Sequence, residues 1–271
     1  MKKTAFFCTL GLLLAGHLPA QNQAADTLAY LHQLRVNARF ATADNLGNYY
    51  AITPENIIEK YSPQLNLLSR YTNNRLGAAA RIDATNPMKL LVWYADFRTA
   101  VFLDRNLTQL GELNLIQAGY PEVRSIAAAA DGNLWLYDEV AFKIKKISPG
   151  GAVRFESPAL NLLLPGRLQI CAIADNGQEV YAADSTQGIL QFDLYAQFQQ
   201  LLPWKNIADF ALDANSLAFF VDSTLQIDQV RAIAGKTLTL PASAQIPDAR
   251  RWLAPRRLLV QNGEFLEVWT W

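Results

Sequence analysis

The 271-residue chain is short of the residues that carry most metal and redox chemistry, with two cysteines and two histidines. Cys8 and His17 fall in the apolar N-terminal stretch, which leaves Cys171 and His32. A single cysteine excludes an internal disulfide, and a single histidine excludes a multi-histidine metal centre. A Ser-His-Asp triad would have to use His32, and no nucleophile-elbow sequence accompanies it. No Gly-rich phosphate loop is present. Past the N-terminus no stretch reaches the roughly 18 apolar residues that a spanning helix requires, so no transmembrane segment is expected. Net charge is also lacking, since 24 Lys+Arg stand against 24 Asp+Glu. That balance argues against nucleic acid or an anionic membrane as a general partner.

The first positive signal is the opening, MKKTAFFCTLGLLLAGHLPAQNQ. Lys2 and Lys3 form a positive n-region, Ala5 to Gly16 an apolar run, and Leu18-Pro19-Ala20 a small-residue exit before Gln21. This reads as a secretory signal peptide over residues 1–20; a buried N-terminal helix is the competing reading. Leu13-Leu14-Ala15-Gly16-His17 resembles a bacterial lipobox with His17 in place of its cysteine. The expectation is an exported protein of the periplasm or extracellular space, soluble and not a lipoprotein. The mature chain, 21–271, loses Lys2 and Lys3 and so keeps 22 cationic against 24 anionic residues, a net −2. With 51% hydrophobic residues over the full sequence and no low-complexity tract the protein is globular, by length of one or two domains; the repeat described next makes 21–271 a single one.

The rest is organised by a repeat. Aromatic or β-branched runs closed by a turn residue occur at Tyr49–Thr53, Val92–Asp96, Leu134–Asp138, Val180–Asp184, Ala218–Asp222 and Leu258–Asn262. The closing residues are spaced by 43, 42, 46, 38 and 40 residues. A period near 42 with several strands per unit and no helical pattern predicts a propeller. Each run follows another apolar strand and a turn, as at Asp44-Asn45-Leu46-Gly47, Asp131-Gly132 and Asp175-Asn176-Gly177. Asp-Gly and Asn-Gly pairs supply the positive φ that tight hairpins need. A third strand follows each closing residue, and a more polar fourth strand follows most of those. Unit six lacks a fourth strand, because its third runs to Trp271. The run Leu28–Val36 is expected to supply it and close the ring; a short amphipathic helix is the alternative. The predicted fold is all-β, a six-bladed β-propeller of four-stranded antiparallel blades.

The pattern of apolar strand, Asp-x-x-Gly turn, aromatic strand ending in Asp and third strand ending in Asp resembles the NHL repeat and the wider six-bladed TolB-like propeller group. It is clearest at Ala172–Asp193 and Ile126–Ile147. Unit two departs from it at Asp83-Ala84-Thr85-Asn86-Pro87, and unit six at Ala254-Pro255-Arg256-Arg257. The resemblance implies lyases, lactonases, protein-interaction modules or envelope scaffolds, so it does not select one activity. The calcium-dependent lactonases of the group hold their metal with a Glu, two Asn and an Asp, a set that cannot be placed on this chain.

Two constellations remain as candidate sites. Asp96, Asp138, Asp184 and Asp222 share one blade position, where they would form a carboxylate ring for Ca²⁺ or cap their own turns. Arg250, Arg251, Arg256 and Arg257 form a dense basic cluster, either a solvated blade end or a ligand patch at the channel mouth. The aromatics Tyr50, Trp93, Trp135, Tyr181 and Phe219 are assigned to the core between blades. Cys171 is expected as a buried small hydrophobe and His32 as a blade-surface residue. Asn106-Leu107-Thr108 matches a glycosylation acceptor, a signal that a bacterial-type signal peptide weakens. The reading these features favour is a non-catalytic monomer that binds an envelope or extracellular protein, peptide or glycan and needs no cofactor. The alternatives are a calcium-dependent hydrolase or lyase with a channel site, and a folded spacer.

Overall fold

A computed structural model describes residues 27–230 and 235–271; the predicted signal peptide at 1–20 lies outside them. After β1 (Ala29–Arg35) the chain lays down blade one as β2 (Phe40–Ala43), β3 (Tyr49–Ile52), β4 (Ile57–Tyr61) and β5 (Leu67–Thr72). Blade two is β6 (Arg81–Asp83), β7 (Lys89–Tyr94), β8 (Thr99–Asp104) and β9 (Gln109–Asn114). Blade three is β10 (Ile126–Ala128), β11 (Leu134–Asp138), β12 (Lys143–Ile147) and β13 (Val153–Glu156). Blade four is β14 (Ile170–Asp175), β15 (Glu179–Asp184), β16 (Gly188–Asp193) and β17 (Phe198–Leu202). Blade five is β18 (Phe210–Leu212), β19 (Ser216–Val221), β20 (Thr224–Gln229) and β21 (Gly235–Thr239). Blade six is β22 (Arg251–Ala254), β23 (Arg257–Asn262) and β24 (Phe265–Thr270), completed by β1.

All six sheets are four-stranded and antiparallel, and first strands touch from blade to blade around the ring. The expected closure is therefore present: residues 28–36 give a strand, not a helix. β1 pairs with β24 from Ala29 opposite Thr270 to Arg35 opposite Phe265, with a register shift between Tyr30 and His32. Gln261 pins the exit of that strand. Its amide donates to the Val36 carbonyl at 2.9 Å and its oxygen accepts from the Ala38 N–H at 2.9 Å.

The core is six wedges, one between each pair of neighbouring blades. Tyr50, Trp93, Trp135, Tyr181 and Phe219 are all buried in these wedges, as expected. First strands are short and rich in alanine (Ala41, Ala43, Ala127, Ala172, Ala211, Ala254), because six of them converge on one axis and leave no room for large side chains. Every first strand runs toward the same mouth of the channel and ends there in its first hairpin turn. Those six turns build the site.

Candidate functional site

The turns that follow the first strands carry Asp44, Asp83, Asp131, Asp175 and Asp213 in blades one to five and Pro255 in blade six. Each of these aspartates accepts a backbone N–H two residues on, the bond that makes Asp a turn residue. Asp44 accepts from Leu46, Asp83 from Thr85, Asp131 from Asn133, Asp175 from Gly177 and Asp213 from Asn215. Several bonds also cross to the next blade. Asp83 accepts the Ala128 N–H at 2.8 Å, and Asp175 accepts the indole N–H of buried Trp135 at 2.7 Å and the Ala130 N–H at 3.3 Å. Within blade one, Asp44 accepts the Tyr50 hydroxyl at 2.9 Å; burial and that carboxylate push the Tyr50 hydroxyl well above its ordinary range. Carboxylates thus tie the turns of blades two, three and four to their neighbours.

Between them opens a cup of about 520 Å³. All six blades line it, through Asn45, Thr85 and Asn86, Ala128 to Ala130, Asp175 and Asn176, Leu212 to Ala214, and Pro255. Beneath lies a narrower space of about 60 Å³ that Thr42, Arg81, Asp83 and Asp175 border. At the far end the Arg81 guanidinium donates to Asp209 at 2.7 Å. Arg81 belongs to blade two and Asp209 leads into blade five, so this ion pair spans the channel between opposite blades. Burial would lower the Arg81 pKa, but the Asp209 charge and hydrogen bond outweigh it and hold the pKa above its ordinary value. The Arg81 guanidinium also lies 5.7 Å from the Phe40 ring.

The four aspartates singled out from the repeat lie on the opposite face, in the turns between second and third strands. Asp184 is fully buried and accepts the N–H groups of Gln169, Thr186 and Gln187 and the Thr186 hydroxyl. Asp138 accepts the N–H groups of Val140 and Ala141 and pairs with Lys145 at 2.8 Å. Burial alone would raise the Asp138 carboxyl, but those donors hold it below the ordinary carboxylate range. Asp96 and Asp222 are exposed, Asp222 with φ 51° in a two-residue turn. Among the described residues no three His, Cys, Asp or Glu side chains gather as metal ligands.

The four arginines are not one patch. Arg250 and Arg251 stand at the start of β22, Arg256 and Arg257 at its far end beside the cup. Arg250 donates to the Ala38 carbonyl, and Arg251 donates to the Ala244 carbonyl with its guanidinium 4.9 Å from the Phe220 ring. Arg256 is exposed and donates to the Trp271 carbonyl; Arg257 turns into the seam with blade one, where its Nε is buried without a partner. Neither lines the cup.

His32 is less exposed than expected. Its Nε2 is buried without a partner, its ring meets Tyr49 edge-on at 5.2 Å, and burial together with the Arg257 charge lowers its pKa. Cys171 is half-buried; its thiol donates to the Ala183 and Ile207 carbonyls, and burial pushes its pKa up to about 11. That keeps it a thiol rather than a nucleophilic thiolate.

The sequence carries a signal for the cup residues in the Asp-containing turns after the first strands, but that signal is one of turn chemistry and does not by itself mark a site. No family model matches the chain, and no curated protein matches it. Solved structures do. A streptogramin B lyase structure covers 89% of this chain and 87% of its own at 12% identity, with a TM-score of 0.59. A catalytically inactive virginiamycin B lyase from Staphylococcus aureus with quinupristin covers 85% and 79% at 13% identity and a TM-score of 0.57. The WD40 domain of Neurospora crassa Pan2 covers 90% and 95% at 10% identity and a TM-score of 0.58. Such likeness shows the propeller fold and no more; lyases and a WD40 domain share it.

Proposed function

We propose that this protein is a non-catalytic, exported binding propeller, acting as a monomer, that takes part of an envelope or extracellular protein, peptide or glycan into the cup. The observation that carries the reading is the cup of about 520 Å³ to which all six blades contribute. Its volume is that of ligand-binding clefts, and its site at the convergence of six blades is where a propeller gathers side chains from distant parts of the chain. Its carboxylates are engaged in holding turns and neighbouring blades, which suits a rigid receptor. Rigidity favours affinity, because little order has to be imposed on binding. No helix among the described residues is long and apolar enough to cross a membrane. The N-terminal sequence supports export.

The test is affinity capture from an envelope fraction with the mature chain and with Ala214→Trp. Ala214 is an exposed turn residue of the cup wall, so an indole there occupies the cup at little cost to folding. A partner retained by the wild type and lost by the variant, at unchanged Tm, supports the reading. Equal capture by both moves binding elsewhere on the molecule.

A further inference from the structure

We propose that the seam between blades six and one holds a binding site for an oxyanion, a carboxylate or a phosphate group, with Arg257 and His32 as its donors. The site is separate from the cup, whose lining neither residue joins. Strand register sends both side chains the same way. His32 stands opposite Val268, Val268 stands opposite Leu259, and Arg257 lies two residues before Leu259 on β23, so all four leave one face of blade six. Val268 and Leu259 pack in the wedge against Tyr49 of blade one. The Arg257 guanidinium ends between the blade-one turns at Gly47 and Pro63: a Cβ at Gly47 would lie 3.8 Å from Arg257 Nη2 and 3.4 Å from Pro63 Cγ.

The seam is marked by two donors that the fold positions and leaves unused. Arg257 Nε and His32 Nε2 are both buried without a hydrogen bond. Other arginines are served differently. Arg98, Arg250 and Arg251 donate to backbone carbonyls, while Arg105 and Arg154 are exposed. Among the described residues Arg257 is the one half-buried arginine with neither a hydrogen bond nor an ion pair. Carboxylates on the neighbouring strands and turns are committed elsewhere. Asp44 accepts from Leu46, Asn48 and Tyr50, Glu59 holds Arg70 and Tyr61, and Glu267 faces the wedge with blade five beside Val260. A half-buried guanidinium without a countercharge costs stability. Burial and the Arg257 charge together lower the His32 pKa, so the arginine acts on the imidazole with no carboxylate between them. An oxyanion bound there would supply the missing countercharge, accepting from the planar fork of Arg257 and from the Nε2–H tautomer of His32.

The experiment follows the His32 ring by NMR in the mature chain, where it is the one histidine of residues 21–271. Inorganic phosphate and N-acetylglycine are titrated separately at fixed pH and ionic strength. The expected result is a saturable movement of the His32 signals by at least one anion, with half-saturation at about 1 mM or below, weakened about tenfold or more in Arg257→Gln. Tighter response to N-acetylglycine assigns the site to a peptide carboxylate, and tighter response to phosphate assigns it to a phosphoryl group. Arg257→Gln should melt at the wild-type Tm or above it, because it removes an unpaired charge. A Tm lowered by about 5 °C or more would make Arg257 a packing residue and overturn the proposal. So would the absence of saturable movement with either anion up to about 50 mM, or an unchanged half-saturation in Arg257→Gln.

Discussion

Asp175 offers the sharpest test of how the cup is held together. Its side chain is 5% exposed and takes the N–H groups of Trp135 Nε1 at 2.7 Å, Gly177 at 2.6 Å and Ala130 at 3.3 Å. Asp175→Ala strands the indole N–H of a residue with no exposure, which costs about 1–3 kcal/mol, and removes bonds to a charged acceptor worth about 1.5–3 kcal/mol. A total near 4 kcal/mol follows, with roughly 2 kcal/mol for Asp175→Asn, which can keep only part of the set. In a domain of this size 1 kcal/mol moves Tm by about 2–4 °C, so the alanine variant should melt roughly 10 °C lower. Trp135→Phe removes the donor while keeping a large ring. Urea melts of the two single variants and the double variant close a mutant cycle, and the coupling energy should be about 2 kcal/mol. Additivity within about 0.5 kcal/mol would refute the claim that this bond locks blade three to blade four.

Other perturbations test other parts of the ring. Asp209→Ala leaves the Arg81 guanidinium, whose side chain is one-third exposed, without its partner across the channel; a loss of about 2 kcal/mol is expected in a denaturant melt, and no loss would mean that the bridge does not brace opposite blades. Gly188 opens β16 with φ 136°, and a Cβ there would stand 2.2 Å from the Leu202 carbonyl oxygen, so Gly188→Ala should destabilise by about 3 kcal/mol in the same assay. His32 is held neutral by burial and by Arg257, so its folded pKa lies below the unfolded value. The stability this contributes is complete above that value, near 6.5, and is lost as pH falls through it toward the folded pKa. Melts between pH 7.5 and 5 should therefore show a steeper acid loss in the wild type than in His32→Gln; identical slopes would remove His32 from the pH response.

Much of the architecture could be read from the sequence because the second strand of each blade is so regular. An aromatic or β-branched run must fill the wedge between blades, and a turn residue must end it, so the same pattern returns every 42 residues or so. The N-terminal strand was legible for a related reason: a sheet edge at Trp271 needed a partner. The site was less legible, because its bonds join residues that no local motif connects. Trp135 and Asp175 are 40 residues apart, Asp83 and Ala128 are 45, and Ala130 and Asp175 are 45. Each separation is about one repeat, the distance to a neighbouring blade. Arg81 and Asp209 are 128 apart, about three repeats, which in a ring of six means the opposite blade. The arginines misled for the same reason in reverse. Arg250, Arg251, Arg256 and Arg257 are close in sequence, but β22 carries one pair to each face of the ring. Blade six also departs from the repeat where Arg256 takes φ 56° in a tight turn with Pro255, leaving that blade alone without an aspartate in the turn after its first strand.

The central claim is that ligand enters the cup formed by the six turns after the first strands. The direct measurement is hydrogen–deuterium exchange of the mature chain with and without its captured partner. The account predicts protection confined to 44–48, 84–88, 129–133, 176–178, 213–215 and 255–256, the turns of that mouth. Protection at 73–80, 115–125 and 157–169, the connections on the opposite face, with none at the cup, would contradict it.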